Sequence, residues 1–275
     1  MTTVAEYRSS RELFVNLTLR ELRSKYKRSV LGWAWSLLNP LATMFIFTLV
    51  FKYFMKIQAP TGRPSGMNIF ALYLLVALLP WNYVNAGVFG SIGTLVGNSN
   101  LIKKTYFPRE LLVESTVASM LVSHLIEMSL LVVAIICFGN WQAIFYLPFV
   151  VLLIAVLTLF TTGLGLMFAV FNVYFRDVQH LIGIMFMVWM YMTPIVYPLY
   201  LVPHHAHIFG AEMPVRAILF LDPMTDFSEA FRNLLYDLRF PAVWMVAYAT
   251  GISVVMFFLG LFVFGKLEGK LAEEL

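Results

Sequence analysis

Two ionisable side chains, His124 and Glu127, stand three residues apart inside a long apolar stretch. At that spacing they share one face of a helix. An ionisable pair in such a setting points to a proton or ion route by default. The plainer alternative, a hydrogen bond packing two helices together with Glu127 protonated, asks less of the pair and is preferred. His204, His205 and His207 invite a metal reading, but no cysteine or carboxylate stands at ligand spacing, so a solvated loop is expected and no metal is assigned. Nucleotide chemistry is not written here either. The G-x-x-x-x-G-K-[ST] loop that cradles phosphates is missing, and Gly265-Lys266 lacks the rest of it. The single cysteine, Cys137, cannot close an internal disulfide and reads as a buried, inert thiol.

The elements that would carry these residues are set by composition. Hydrophobic residues make up 60% of 275, charged residues 12%, and the mean hydropathy is +0.81. A soluble domain carries about 25% charged residues. So little polar surface cannot cover a globule in water, and lipid is the expected solvent for most of the chain. The first residues lack the apolar core of a cleavable signal, and the first apolar run is expected to be retained.

Along the chain, Arg11 to Arg28 has helical periodicity. Val15, Leu19, Leu22 and Tyr26 form one stripe, with Arg20, Arg23, Lys27 and Arg28 opposite. An amphipathic helix lying in the membrane interface is expected, its basic side on anionic headgroups. Gly32, Trp33 and Trp35 then open the first apolar run. Six spans are predicted, at about 30–54, 67–95, 111–138, 145–173, 181–197 and 241–264. Pro40 is expected to kink or restart the first and Pro80 to break or bend the second. Residues 199–240 differ: Asp222-Pro223 is an N-cap and N1 proline, and Phe227, Phe231, Leu234 and Leu238 follow at helical spacing. That helix is too charged to span, and is expected to lie at the surface or dip in as a re-entrant element. The fold class is therefore an all-α polytopic membrane protein. An interfacial helix (1–28) precedes a transmembrane permease domain (29–275). Seven basic residues precede the first span and six occupy the other inner loops and tail, against six outside. That bias places both termini in the cytoplasm.

Three stretches in order resemble the membrane subunit of bacterial ABC exporters of polysaccharides and polyol phosphates, the family of O-antigen, capsule and teichoic acid permeases. They are LTLRELRSKYKRSVLGWAWSLLNPL (17–41), NLIKKTYFPRELL (100–112), and FNVYFRDVQHLI (171–182) followed by TPIVYP (193–198). Each is weak alone; together they cover nearly the whole chain. Val113 stands where the family usually has proline, and Asp222 where asparagine is common.

The resemblance implies a half-transporter in the bacterial cytoplasmic membrane. It would work with a second copy of itself and two separate ATPase subunits, which would hold the ATP and Mg²⁺; this chain would bind no cofactor and catalyse nothing. The substrate implied is a lipid-linked glycan, with membrane lipids as further partners and no nucleic acid. The resemblance makes Asn100, Lys103, Lys104, Phe107, Pro108, Arg109 and Glu110 the loop that docks on the ATPase. Arg20, Arg23, Tyr26 and Arg28 would sit at the cytoplasmic interface. Arg176 and Asp177 remain open between a structural ion pair and a gate. In the family the first and fifth spans border the conduit. That would place Trp33, Trp35, Phe45, Phe51, Phe186, Trp189, Met190 and Tyr197 along it, offering sugar rings weak, repeated stacking contacts. Two other readings stand beside this one: export of a drug or small lipid, and a membrane-bound lipid-dependent transferase. The latter would need paired carboxylates or a metal cluster on one membrane face.

Overall fold

The computed structural model describes residues 4–26, 32–105, 107–208 and 211–274. Helix α1 (Val4–Tyr26) leads to a single 3₁₀ turn (Gly32–Ala34) and α2 (Trp35–Phe47), which continues as a π-helical stretch, Thr48–Phe54. Next come α3 (Phe70–Ile92), the short α4 (Thr94–Gly97) and α5 (Ser99–Lys104), and the long α6 (Glu110–Cys137) and α7 (Ala143–Tyr174). Then follow α8 (Val178–Met192), a two-stranded antiparallel hairpin of β1 (Ala206–Ile208) and β2 (Ala211–Met213), α9 (Val215–Leu219) and α10 (Pro223–Phe231). After α10 the backbone widens into a π-helical turn, Arg232–Asp237, before α11 (Val243–Leu267) and α12 (Leu271–Glu274). Four helices, α3, α6, α7 and α11, are long and apolar enough to cross a membrane; Leu38–Phe54 and Val178–Met192 are shorter apolar helical stretches. The chain is a multi-pass, all-α membrane protein. The hairpin, three residues a strand, is the departure from pure helix among the described residues.

Helix α3 is the axis of the bundle. Leu74, Val76, Ala77, Leu78, Val84 and Val88 are completely buried, and α2, α6, α7, α8 and α10 all pack on it. This explains why Pro80 does not break it. The helix is continuous through Pro80, because neighbours on every side hold its backbone where lipid alone would not. Pro40 likewise lies within α2, and the irregular backbone comes later, at Thr48–Phe54.

Where α7 crosses α11 the contact is backbone to backbone. A Cβ on Gly163 would overlap the Met256 carbonyl, and one on Gly260 would overlap Gly163 itself. Small residues at such crossings let two helices approach without side chains between them, the main source of helix affinity in lipid.

Two expectations need correction. Helix α1 packs along α6 and does not simply rest on lipid. Leu17 and Leu22 are buried, while Val15 and Leu19 of the expected stripe are exposed, because the protein contact selects a face turned from the one the periodicity suggested. Cys137 is exposed, not buried, since it ends α6 on the outward side.

Candidate functional site

The end of the bundle that carries α5 is built on a small apolar cluster. Leu17 of α1, Leu95 of α4, Ile102 of α5, Leu112 of α6, Val170 of α7, Phe264 of α11 and Leu271 of α12 meet there. Seven helices contribute to this one cluster, which ties them into a platform. Helix α5 hangs from it by Ile102, and its next turn presents Lys103 and Lys104 to solvent, with Asn100 also exposed. Phe107 is half-buried against the same cluster, and Pro108 is exposed. Arg109 donates to the Glu268 carbonyl at the end of α11. Burial, then the neighbouring Glu110, pushes the Glu268 carboxyl above its ordinary range, against the pull of Arg109. Arg20 of α1 donates to Asn98 Oδ1 at 2.8 Å, and Asn98 in turn donates to the Thr94 carbonyl at 2.8 Å. The loop expected to dock a partner is thus bonded to both the N-terminal helix and the last span, with its lysines left outward. Arg23, Arg176 and Asp177 are exposed at this end of the chain. Arg28, and the side chains of Tyr26 and Trp33, lie outside the described residues.

The aromatic residues divide differently from the sequence expectation. Trp35 and Phe45 are exposed along the first span, and Phe51 is half-buried, stacked on Phe70 at 6.4 Å. Phe186 is buried, and Trp189 packs with it at 5.2 Å and edge-on to Trp81 at 5.4 Å. The α8 face carrying Phe186, Trp189 and Met190 therefore turns into the bundle. Its outward face is Met185, Val188, Tyr191 and Met192. Helical spacing identifies residues that share a face and is silent on which way the face turns.

His124 and Glu127 line a polar cavity of about 370 Å³ with Trp35, Asn39, Asn82 and Asn85, beside Lys25. Lys25 Nζ lies 3.3 Å from Ser123 Oγ. The helix-packing hydrogen bond expected of His124 is not made. Its ring stacks on Tyr83 at 4.9 Å, and neither ring nitrogen has a partner among the described residues.

The opposite end holds two features that sequence reasoning missed. Asp222 caps α10 as expected, accepting from the Met224 amide at 3.1 Å. It also accepts from Trp189 Nε1 at 2.7 Å and Thr193 Oγ1 at 2.6 Å, so one carboxylate fastens the end of α8 to the start of α10. Replacing Asp222 by alanine is expected to cost about 2–4 kcal/mol, with asparagine in between. Thermal unfolding in detergent measures this. Unchanged unfolding in the alanine variant would mean the cap carries nothing.

Behind it, α10 and the turn after it are buried: Phe227, Phe231, Leu235 and Arg232 are all at most 2% exposed. The helix is held inside the bundle, packed on α3, α7 and α11. Arg232 donates to the Pro194 and Ile195 carbonyls and to Glu229, each at 2.7 Å. Those two carbonyls lost helical partners where α8 stops at Thr193, and a forked guanidinium supplies them. Its face lies 4.0 Å over the Tyr73 ring. Asp226, also buried, has its carboxyl raised to about 7 by burial, with Asp222 and Glu229 adding to the effect. The visible signal for this knot was Glu229 and Arg232 at i, i+3 in the helix that follows Asp222-Pro223.

Comparison with known proteins agrees with this architecture. A family described as ABC-2 type transporter matches residues 12–236. The chain is 28% identical over 272 residues to the O-antigen export system permease protein RfbA of Myxococcus xanthus, covering 99% of this chain and 98% of that protein. It is 27% identical over 266 residues to the protein of the same name from Klebsiella pneumoniae, covering 96% and 95%. To the polysialic acid transport protein KpsM of Escherichia coli it is 26% identical over 190 residues, covering 68% and 70%.

Proposed function

Because the chain belongs to the ABC-2 type transporter membrane family, we propose that it is the permease of an ATP-driven exporter that carries a lipid-linked polysaccharide or polyol phosphate out across the bacterial cytoplasmic membrane. The observation that carries this reading is the platform. A family permease must receive motion from a separate ATPase, and α5 offers exposed lysines on a base bonded to α1, α4 and α11. ATP and Mg²⁺ belong to that partner, and this chain contributes no catalysis. Two copies would form the conduit with two ATPase subunits below, both termini in the cytoplasm. The relatives' names, O-antigen export and polysialic acid transport, favour a glycan over a drug or small lipid.

The conduit wall is placed on the outward aromatics of the first span, Trp35 and Phe45, and on the outward face of α8 with Tyr191 at its centre. Phe186 and Trp189 are given the supporting role of holding α8 against α3. Loose stacking on such a wall passes a sugar chain without trapping it. Reversing charge at Lys103 and Lys104 together is expected to lower export and transport-coupled ATPase activity at least tenfold, while membrane insertion is unchanged. The assay is surface glycan on intact cells, with ATPase activity of the reconstituted complex. Full export by the doubly reversed chain would remove the platform's assigned role.

A further inference from the structure

At the end of the bundle opposite α5, a cavity of about 400 Å³ opens between the turn after the first span, the segment after α8 and the turn that follows α10. Four guanidinium groups from separate stretches line it: Arg63, Arg216, Arg232 and Arg239. Two are matched. Arg232 meets Glu229 at 2.7 Å, and Arg239 meets Asp237 at 3.1 Å. These are the two carboxylates in the lining. Arg63 and Arg216 have no carboxylate within ion-pair distance among the described residues. Arg216 Nη1 stands 3.0 Å from His204 Nε2, and as donor it needs a neutral imidazole there. Two positive charges are therefore left unbalanced around one concavity. At its inner wall Arg232, 2% exposed, has an Nε–H with no acceptor among the described residues. A buried charged donor left unmade is costly, and an anionic acceptor is what would satisfy it.

Three tyrosines, Tyr73, Tyr200 and Tyr236, share the rest of the wall with Pro60, Thr61, Pro198 and Leu199. Tyr200 and Tyr236 spend their hydroxyls on the Gln58 and Met67 carbonyls, each at 3.1 Å, so they offer the cavity their rings. A cavity of this size is within the range of small-ligand sites, about 300–1,000 Å³.

We infer that this cavity binds the oxyanion of a sugar unit, a phosphate or carboxylate held by Arg63 and Arg216 with the ring against tyrosine. It rests on the proposed function for the source of that sugar, the exported glycan as it leaves. An acidic group on the chain would be drawn off the conduit into this pocket, while a neutral glycan would pass it by.

The test is calorimetric titration of the full-length protein in phosphatidylcholine nanodiscs. Glucose 1-phosphate and glucuronic acid are expected to bind, more weakly as salt is raised, and glucose is expected not to bind. Arg63→Gln and Arg216→Gln are each expected to weaken glucose 1-phosphate about tenfold. Both side chains lie at the surface, and an unchanged unfolding temperature would show the variants folded. Equal binding of glucose, or wild-type affinity in the double variant, overturns the site. Inorganic phosphate binding as tightly as glucose 1-phosphate overturns the sugar component. Loss of glucose 1-phosphate binding in nanodiscs containing phosphatidylglycerol would assign the pocket to a lipid headgroup and overturn the glycan source; unchanged binding supports it. None of these readouts uses the ATPase or export, so they fail separately from the Lys103 and Lys104 experiment.

Discussion

Replacing Arg232 by leucine is expected to destabilise the protein by about 3–5 kcal/mol, the usual cost of stranding one member of a buried ion pair. The substitution leaves the Glu229 carboxylate and the Pro194 and Ile195 carbonyls without their donor. It also removes the cation from the Tyr73 face. Lysine does not rescue it, because a single ammonium on a flexible stem cannot meet three acceptors arranged for a fork. Adding Glu229→Gln to the leucine variant is expected to recover part of the loss, since the stranded charge goes while the orphaned carbonyls remain. Thermal unfolding of the four proteins in detergent forms the cycle. Should the leucine variant unfold within a degree of the parent, the guanidinium does not hold the end of α8.

Replacing Gly163 by valine is the second large effect. The new Cβ enters the space of the Met256 carbonyl, a backbone atom that cannot swing aside as a side-chain tip would. Overpacking a core costs about 1–3 kcal/mol, and sometimes more; a backbone clash puts this variant at the top of that range or beyond. Helix α7 must then move off α11 along their whole crossing. The internal control is Gly251, also on α11, where a Cβ meets nothing within 4 Å. Gly251→Ala is expected to be neutral or to stabilise by about 0.5–1 kcal/mol through backbone entropy. If both variants unfold alike, glycine matters to these helices only as a generic helix breaker.

The spans were legible because lipid leaves a run of about twenty apolar residues no other option. All six predicted runs correspond to apolar helices, and the Asp222-Pro223 signature did cap a helix. What stayed hidden is orientation about the helix axis. In a soluble helix the polar face marks the outside. In α8 both faces are apolar, so Phe186 and Met185 look equivalent in sequence although one is buried and the other exposed. Pro80 does not break α3 for a related reason: local rules describe an isolated helix, and α3 is never isolated in the folded chain. Helix α1 showed the reverse error, a clean stripe whose Val15 and Leu19 the tertiary contact passed over. The α5 loop could be located from its lysines and Phe107-Pro108, but the bonds from Arg20 and Arg109 that fix it join residues 78 and 159 positions apart.

The central place of α3 also has a consequence for biosynthesis. It is the least apolar of the four long helices and carries Pro80, Trp81, Asn82 and Asn85, yet it is the first of them to leave the ribosome. The helices that later enclose it, α7, α8 and α10, are encoded after residue 142. Between the end of α3 at residue 92 and the start of α7 at residue 143, this axis has only its earliest neighbours for company, its side-chain amides facing acyl chains or the insertion machinery. A chain stopped before α7 would present quality-control proteases with an axis helix only partly covered, so the least protected moment in this protein's life falls midway through its synthesis.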